Sequence, residues 1–594
     1  MRKILSSALA VSLRRTPIMT PRLTQRLAIT LISLPIIRYS FQTLNLNDVY
    51  EISIEDDLKE GEMREVQVGP KKEDAVLVCK VEGQIYCVSN SCPHVGAPLS
   101  AGFLVGDKVK CPFHNASFSI KDGAHEEGPM FRGLQTFPIK QENGQLIIRV
   151  EKELLNAPRT LNMATKGDDP THVVIVGGGV SGQSAAETLR QAGFKGKITI
   201  ITAEDSLPYD RTPMSKMSFL VKLQGLQIRQ PSFYEQYGID VLTNKSVDSI
   251  DVNNQEVVIG KDKIRYDKLL LATGGTARKP TLDGVNLNNV HTLRQFNDLL
   301  QIREKAKTSK NIVIVGASFI GMETASAIKK ELKDQVNITV VDNTSVPFER
   351  VLGSEVGASL QKLHQANGVE FELSAGVKRI AGEGSVSRVD LLNGKSLLAD
   401  LVILGTGIQP NNQLAKDQLK LSPNGGIETD VFLKAAKNVY ASGDIASYPY
   451  WVTGEYVRIE HQNEAIRQGF IAALNILGRP TPLTDVPFFW TRQWDRTLAY
   501  SGVGQGFDEV IIDGDLNQQK FIAYYAKKGR IVASASMNTP NAQMIISEAL
   551  RLNVMPSAQE LKENKTTLDE IKKVVLSKGT SCHCKRSGQC QAQL

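Results

Sequence analysis

The stretch His172-Val173-Val174-Ile175-Val176-Gly177-Gly178-Gly179-Val180-Ser181-Gly182 sets the fold class. Its unbroken Val/Ile run, with no polar alternation, predicts a strand buried on both faces, as in a parallel sheet covered by helices. The run stops at a G-x-G-x-x-G cluster, followed by Ala185, Ala186 and Leu189 at helical spacing. Glycines allow a tight turn and close backbone approach, and the helix start offers unpaired N–H groups and a positive dipole end to a pyrophosphate. That fingerprint alone is weak. It gains weight from Glu204, which closes the next apolar run 22 residues after Gly182, where a carboxylate can accept from both ribose hydroxyls. Gly177, Gly179, Gly182 and Glu204 are therefore read as one dinucleotide site.

The pattern recurs downstream. Asn311-Ile312-Val313-Ile314-Val315 leads into Gly316-Ala317-Ser318-Phe319-Ile320-Gly321, and Asp342 ends the following strand 21 residues after Gly321. Gly316, Ser318, Gly321 and Asp342 mark a second nucleotide unit. A carboxylate at that place suits a free 2′-hydroxyl and repels a 2′-phosphate, so NADH is favoured over NADPH; Arg350 lies too far along to reverse this. Two such units in series define an α/β region with two dinucleotide-binding sites.

Working outward, 594 residues exceed one hydrophobic core and predict roughly three to five domains. A hydrophobic fraction of 41% and a charged fraction of 22% exclude disordered, collagen-like and multi-span membrane classes. The formal charge of +7 would suggest a polyanionic partner, but residues 1–47 hold seven basic side chains and no Asp or Glu, leaving 63 against 63 beyond them. No nucleic-acid partner is expected. The basic, acid-free segment has the composition of a mitochondrial presequence. Its apolar run of eleven residues, Leu27–Ile37, is short of the roughly 20 needed to span a bilayer. Location at the inner membrane or in the intermembrane space, and a homodimer, stay open at this point.

Residues 48–152 alternate in short segments separated by Gly, Asn and Pro, the pattern of a small all-β domain. Within it, Cys92-Pro93-His94 and Cys111-Pro112-Phe113-His114 place a C-x-H and a C-x-x-H pair in two loops. Two thiolates on one iron and two imidazoles on the other make a Rieske [2Fe–2S] cluster, so Cys92, His94, Cys111 and His114 are its expected ligands. A Cys₂His₂ zinc site is the alternative. Cys79 and Cys87 are read as buried strand residues.

The surroundings resemble Rieske ferredoxins: Gly96-Ala97-Pro98-Leu99, Phe118, Gly123 and Gly128-Pro129 fall where that family places its loops. Ala97 and Phe113 occupy the places where respiratory Rieske proteins carry a disulfide, so the resemblance is to the soluble ferredoxin and dioxygenase-component branch. Farther on, Glu204-Asp205-Ser206-Leu207-Pro208-Tyr209-Asp210-Arg211-Thr212-Pro213-Met214-Ser215-Lys216 resembles the FAD stretch of ferredoxin-reductase-like flavoproteins, which include the apoptosis-inducing-factor family. That resemblance implies that Arg211 and Lys216 lie along FAD. It implies as well that Thr273 and Gly274 form a turn near the second nucleotide, and that Gly443 and Asp444 meet the ribityl chain. Glu323 would approach the nicotinamide side of the flavin, where Lys216 can pair with it, making these two the catalytic candidates. Glu460, His461 and Trp490 would lie against the flavin, although Gln462 replaces the Trp usual after that His.

The chain is thus expected to comprise the presequence at 1–47, a Rieske domain at 48–152 and a linker at 153–170. An FAD domain follows in two parts, 171–307 and 425–485, around an NAD domain at 308–424, and 486–594 form an α+β reductase C-terminal domain ending in a mobile tail. No cysteine lies between Cys111 and Cys582, which excludes the redox-active cysteine pair of disulfide-reducing flavoenzymes. Cys582, Cys584 and Cys590 lack standard zinc spacing and are read as bystanders. The resemblance implies an NAD(P)H-dependent oxidoreductase that passes electrons from nicotinamide through FAD to the cluster and on to an acceptor not readable from sequence, with His94 and His114 as a solvent-edge exit. A redox sensor or cell-death signalling protein with little turnover is the competing reading.

Overall fold

The computed structural model describes residues 48–579 apart from 158, 160, 161 and 217–220. The expected presequence, residues 1–47, and the three C-terminal cysteines lie outside the described residues.

The run His172–Val176 is the third of six strands in one sheet. Its neighbours are Lys197–Ile201 and Lys268–Leu271, both parallel to it. Val173, Val174 and Ile175 are completely buried, which is why the segment carries no polar alternation. Helix Val180–Gln191 follows the glycine loop and packs closely on helix Gln462–Ile476, joining the two halves of this domain. At the turn, Gly177 has φ +126°, and a Cβ there would stand 2.0 Å from the Ala272 carbonyl oxygen. Only glycine permits this approach of loop to strand.

The second sheet has five parallel strands, with Asn311–Val315 at the centre between Leu401–Leu404 and Asn337–Val341. Gly316 repeats the first loop's geometry, with φ +113° and a would-be Cβ 2.4 Å from the Gly405 oxygen. The sheet's edge strand is Val290–Thr292, paired with Leu401–Leu404. The NAD unit therefore recruits chain from before residue 308, because that edge needs a parallel partner the expected segment does not supply. A two-stranded antiparallel link, Gly275–Ala277 with Ile408–Pro410, carries the chain between the two units.

Residues 48–152 form three small antiparallel sheets. Phe118 lies in the strand Ser117–Ser119, fully buried, rather than in a loop. Cys79 and Cys87 are buried in strands, and burial raises the Cys79 thiol to about 12. From Phe488 a five-stranded antiparallel sheet is covered by helix Ala542–Arg551, on which helix Leu568–Gly579 packs in turn.

The cluster-type domain is fixed to this last domain by a mixed interface. Phe103 and Val105 pack with Met544, Ile545 and Ala549 of one helix and Ile571 and Val575 of the other. Burial of the Phe and Val side chains alone is worth about 3–6 kcal/mol. Beside them the buried Lys110 ammonium lies 3.2 Å from Glu127 and 2.8 Å from Glu548, while Arg467 donates to the Glu126 carbonyl oxygen at 3.0 Å. Buried charges of opposite sign leave little freedom for the two domains to shift, since separation would strand each of them.

Candidate active site

A cavity of about 1240 Å³ opens between the carboxyl ends of the two parallel sheets and reaches the start of the C-terminal sheet. Gly177, Gly179, Glu204, Arg211, Lys216, Thr273, Gly274, Ser318, Glu323, Gly443, Asp444, Glu460, His461 and Trp490 all line it. Gly182, Gly316 and Gly321 do not. They sit behind the loops; a Cβ on Gly182 would meet the Gly177 oxygen at 2.2 Å, and one on Gly321 the Gly316 oxygen at 2.0 Å. Their part is to let each helix close onto its strand.

The donor chemistry fits two dinucleotides. Gly179 caps helix Val180–Gln191, and a Cβ at that position would have no atom within 4 Å, so the helix start faces open space that a pyrophosphate can approach. Glu204 accepts from Tyr209 at 2.7 Å and from Arg211, which also donates to Tyr209 and to the Arg294 carbonyl. Asp342 ends its strand as expected but lies outside the cavity lining. One of its oxygens accepts from the Ala317 N–H at 2.7 Å and the other from the Thr344 backbone and hydroxyl.

At the far end of the cavity Lys216 donates to Glu323 at 2.8 Å, the pairing the family resemblance implies. Glu323 is almost fully buried and also accepts from Ser215 and, at 2.6 Å, from Thr491. The Lys216 ammonium stands 5.2 Å from the centre of the Trp490 ring, within cation–π range. His461 stacks on Phe489, with centroids 4.1 Å apart, and its removal from water lowers it to about 4, so it is neutral at physiological pH. Glu460 is raised by burial although Arg458 pairs with it.

His94 also lines this cavity, and His114 packs on Trp490 with centroids 4.4 Å apart. The two imidazoles therefore face the reductase. Both rings stay partly exposed, His114 with one side against Trp490, and Val95 and Phe113 beside them are more than half exposed.

The Nδ1 atoms of His94 and His114 lie 2.9 Å apart. Two imidazoles on one metal at about 2.1 Å, at a near-right angle, would stand about 3 Å apart. Cys92 and Cys111 are both buried, and their mutual interaction holds the Cys111 thiol below its ordinary value and raises that of Cys92. Burial, with His94 next in effect, lowers His114 to about 3, leaving a neutral ring with a free lone pair. Among the described residues no three His, Cys, Asp or Glu side chains are arranged to hold a single ion. The donors converge as two and two, which suits a two-iron cluster and not a mononuclear zinc.

Sequence reasoning missed several participants. Arg294 donates to Asp444 at 3.1 Å and to the Gly275 carbonyl, Ser215 and Thr491 hold Glu323, and Arg458 joins Asp444 to Glu460. Arg294 and Asp444 are 150 residues apart, and Glu323 stands 108 residues from Ser215 and 168 from Thr491, so no local spacing signals these pairs.

Fold and site together define an NAD(P)H-dependent flavoprotein oxidoreductase with a Rieske domain, whose cofactors are FAD, NAD(P)H and a [2Fe–2S] cluster. Residues 171–469 match the pyridine nucleotide–disulphide oxidoreductase family, residues 48–138 the Rieske [2Fe–2S] domain and residues 488–572 the reductase C-terminal domain. The chain belongs to the pyridine nucleotide–disulphide oxidoreductase family. It is 37% identical over 507 residues to apoptosis-inducing factor 3 of Mus musculus, covering 83% of this chain and 82% of that protein. It is 33% identical to rhodocoxin reductase of Rhodococcus erythropolis, over 64% of this chain and 89% of that one. Among solved structures, the covalent putidaredoxin reductase–putidaredoxin complex matches with a TM-score of 0.65 and 27% identity, over 69% of this chain and 99% of the matched chain.

Proposed function

We propose that this chain is an NADH oxidoreductase in which the reductase half delivers electrons to its own Rieske domain, which passes them to a separate acceptor. Bound FAD takes a hydride from the dinucleotide and a [2Fe–2S] cluster carries one electron at a time, so each NADH supports two single-electron deliveries. Cys92 and Cys111 would hold one iron and His94 and His114 the other. Gly177, Gly179, Glu204, Arg211, Thr273, Gly274, Gly443, Asp444, Glu460 and His461 would hold FAD, with Gly182 closing the loop. Gly316, Ser318, Gly321 and Asp342 would hold the nicotinamide dinucleotide, Asp342 disfavouring a 2′-phosphate.

The observation that carries the reading is the contact of His114 with Trp490 at the rim of the flavin cavity, with Lys216 over the same ring. Both redox sites belong to one body from Asn47 onward, so transfer needs neither a second copy nor a diffusing partner. The basic, acid-free first 47 residues support import into the mitochondrion. Among the described residues no helix is long and apolar enough to cross a membrane.

Rapid mixing of the holoprotein with NADH, followed by freeze-quench EPR, tests the proposal. A reduced Rieske signal should appear within the turnover time. Flavin that bleaches beside a cluster that stays oxidised would overturn it and leave the sensor reading standing.

A further inference from the structure

Behind Glu323 a buried chain of hydrogen bonds continues away from the cavity. The Thr491 hydroxyl donates to Glu323 Oε1 at 2.6 Å and accepts from Gln493 Nε2 at 2.8 Å. Gln493 Oε1 lies 2.9 Å from His364 Nε2. An amide oxygen only accepts, so His364 must donate from Nε2, and this fixes the direction of every bond in the series: His364 to Gln493, Gln493 to Thr491, Thr491 to Glu323. His364 is fully buried, and burial lowers it to about 4, so a neutral ring supplies this single donor. The relay ends on a carboxylate whose other oxygen accepts from Ser215 and Lys216.

Three separate parts of the chain meet here: helix Glu349–Gln365 with His364, helix Phe319–Leu332 with Glu323, and strand Phe488–Gln493 with Thr491 and Gln493. Thr491 and Gln493 are two residues apart and share one strand face, at 1% and 0% exposure. Trp490 directly precedes Thr491 in the strand and so points to the opposite face, where it meets His114 and Lys216. A strand slip or twist that moved Trp490 would break two buried hydrogen bonds on the other face. Each broken bond would leave an unpaired polar group in a dry interior.

We propose that Thr491 and Gln493, braced by His364, are positioning residues that set the place of Trp490 between the flavin cavity and the cluster histidines. Gln493 and His364 lie outside the cavity lining and Thr491 at its edge, and all three act through Glu323 and the strand that carries Trp490. The inference rests on the electron-transfer reading for its consequence and on hydrogen-bond geometry for its mechanism.

The test compares Thr491→Val, which keeps the shape and deletes the donor, with Thr491→Ser, which restores it. The chain has three tryptophans, Trp451, Trp490 and Trp494, so 5-fluorotryptophan labelling gives three ¹⁹F resonances, with Trp490 assigned by its loss in Trp490→Phe. In Thr491→Val the Trp490 resonance should shift and broaden, measured without NADH, and should return in Thr491→Ser. With NADH, the ratio of the cluster-reduction rate to the flavin-reduction rate should fall at least about tenfold in Thr491→Val and recover in Thr491→Ser. If Thr491→Val does not fold, Gln493→Met, which removes the donor to Thr491 at similar length, takes its place. An unmoved Trp490 resonance with a wild-type rate ratio overturns the inference. A wild-type cluster that NADH never reduces overturns the electron-transfer reading instead, and the ¹⁹F resonance still decides whether the relay holds Trp490.

Discussion

Replacing Lys110 by Met tests whether the Rieske domain is held in place by the buried charges at its interface with the C-terminal helices. The substitution keeps the stem length and removes an ammonium that is 2% exposed and lies 3.2 Å from Glu127 and 2.8 Å from Glu548. Removing one partner from a buried ion pair costs about 3–5 kcal/mol, because the remaining charge is left desolvated. Here Arg551 still pairs with Glu548 at 2.5 Å and Arg467 still acts on Glu127. The expected loss is therefore at the lower end, about 3 kcal/mol, or roughly a hundredfold in the folding equilibrium. The pH dependence follows from the carboxyls. Against the penalty of burial, Lys110 is the leading influence that holds both below their ordinary 4.5, Glu127 at about 2. Their contribution is full above about pH 4.5 and is lost as pH falls through about 2. Without Lys110 both carboxyls rise, so the variant should be worst near neutrality and approach the wild type as pH drops toward 4. Urea titrations at pH 7.5 and 4.5, read by tryptophan fluorescence and by cluster absorbance, measure this. Lys110→Met/Glu548→Leu should recover much of the loss, since an apolar replacement of a buried pair is close to neutral. A single variant within 0.5 kcal/mol (about the size of an ordinary surface substitution) of the wild type at pH 7.5 refutes the reasoning, as does a loss that does not shrink at acid pH.

Other consequences are equally open to measurement. Glu464 is buried, and burial, with Asp485 next, raises it to about 7 while Tyr448 and Gln468 donate to it. Its ionisation thus costs stability that disappears as pH falls from 7 toward 4.5, and Glu464→Gln should stabilise by up to about 3 kcal/mol at pH 8.5 and by little at pH 4.5 in urea titrations. Trp490→Leu should slow cluster reduction by an order of magnitude or more in freeze-quench EPR, because His114 loses the ring against which it packs. His94→Cys with His114→Cys should move the cluster's spectrum toward the all-thiolate type and lower its reduction potential in a redox titration. Asp342→Ser should narrow the preference for NADH over NADPH at least about tenfold in steady-state kcat/KM, by removing a carboxylate that disfavours a 2′-phosphate.

Much of the molecule is written locally in the chain. An all-apolar Val/Ile run that stops at glycines can only be a strand covered on both faces that turns sharply into a helix, and it occurs twice, at His172–Val176 and Asn311–Val315. The ligand types in Cys92-x-His94 and Cys111-x-x-His114 follow from loop sequences short enough to be read as units. Local pattern was silent where the determinants are contacts across the fold. The boundary at residue 308 moved because strand Val290–Thr292 is claimed by an edge more than a hundred residues downstream, a choice made by sheet pairing and not by the strand's own residues. The direction the two histidines face is decided by Lys110 meeting Glu548 and Asn115 meeting Ser547, partners 432 residues apart in the latter case. Lys216 and Glu323, 107 residues apart, could be paired only by resemblance, and Thr491 not at all. Periodicity reports which side of an element is buried, and a short motif reports what chemistry its side chains can do. Which buried side meets which, and therefore that His114 comes to lie against Trp490, emerges only when the domains are packed together and every buried charge and donor must find its partner.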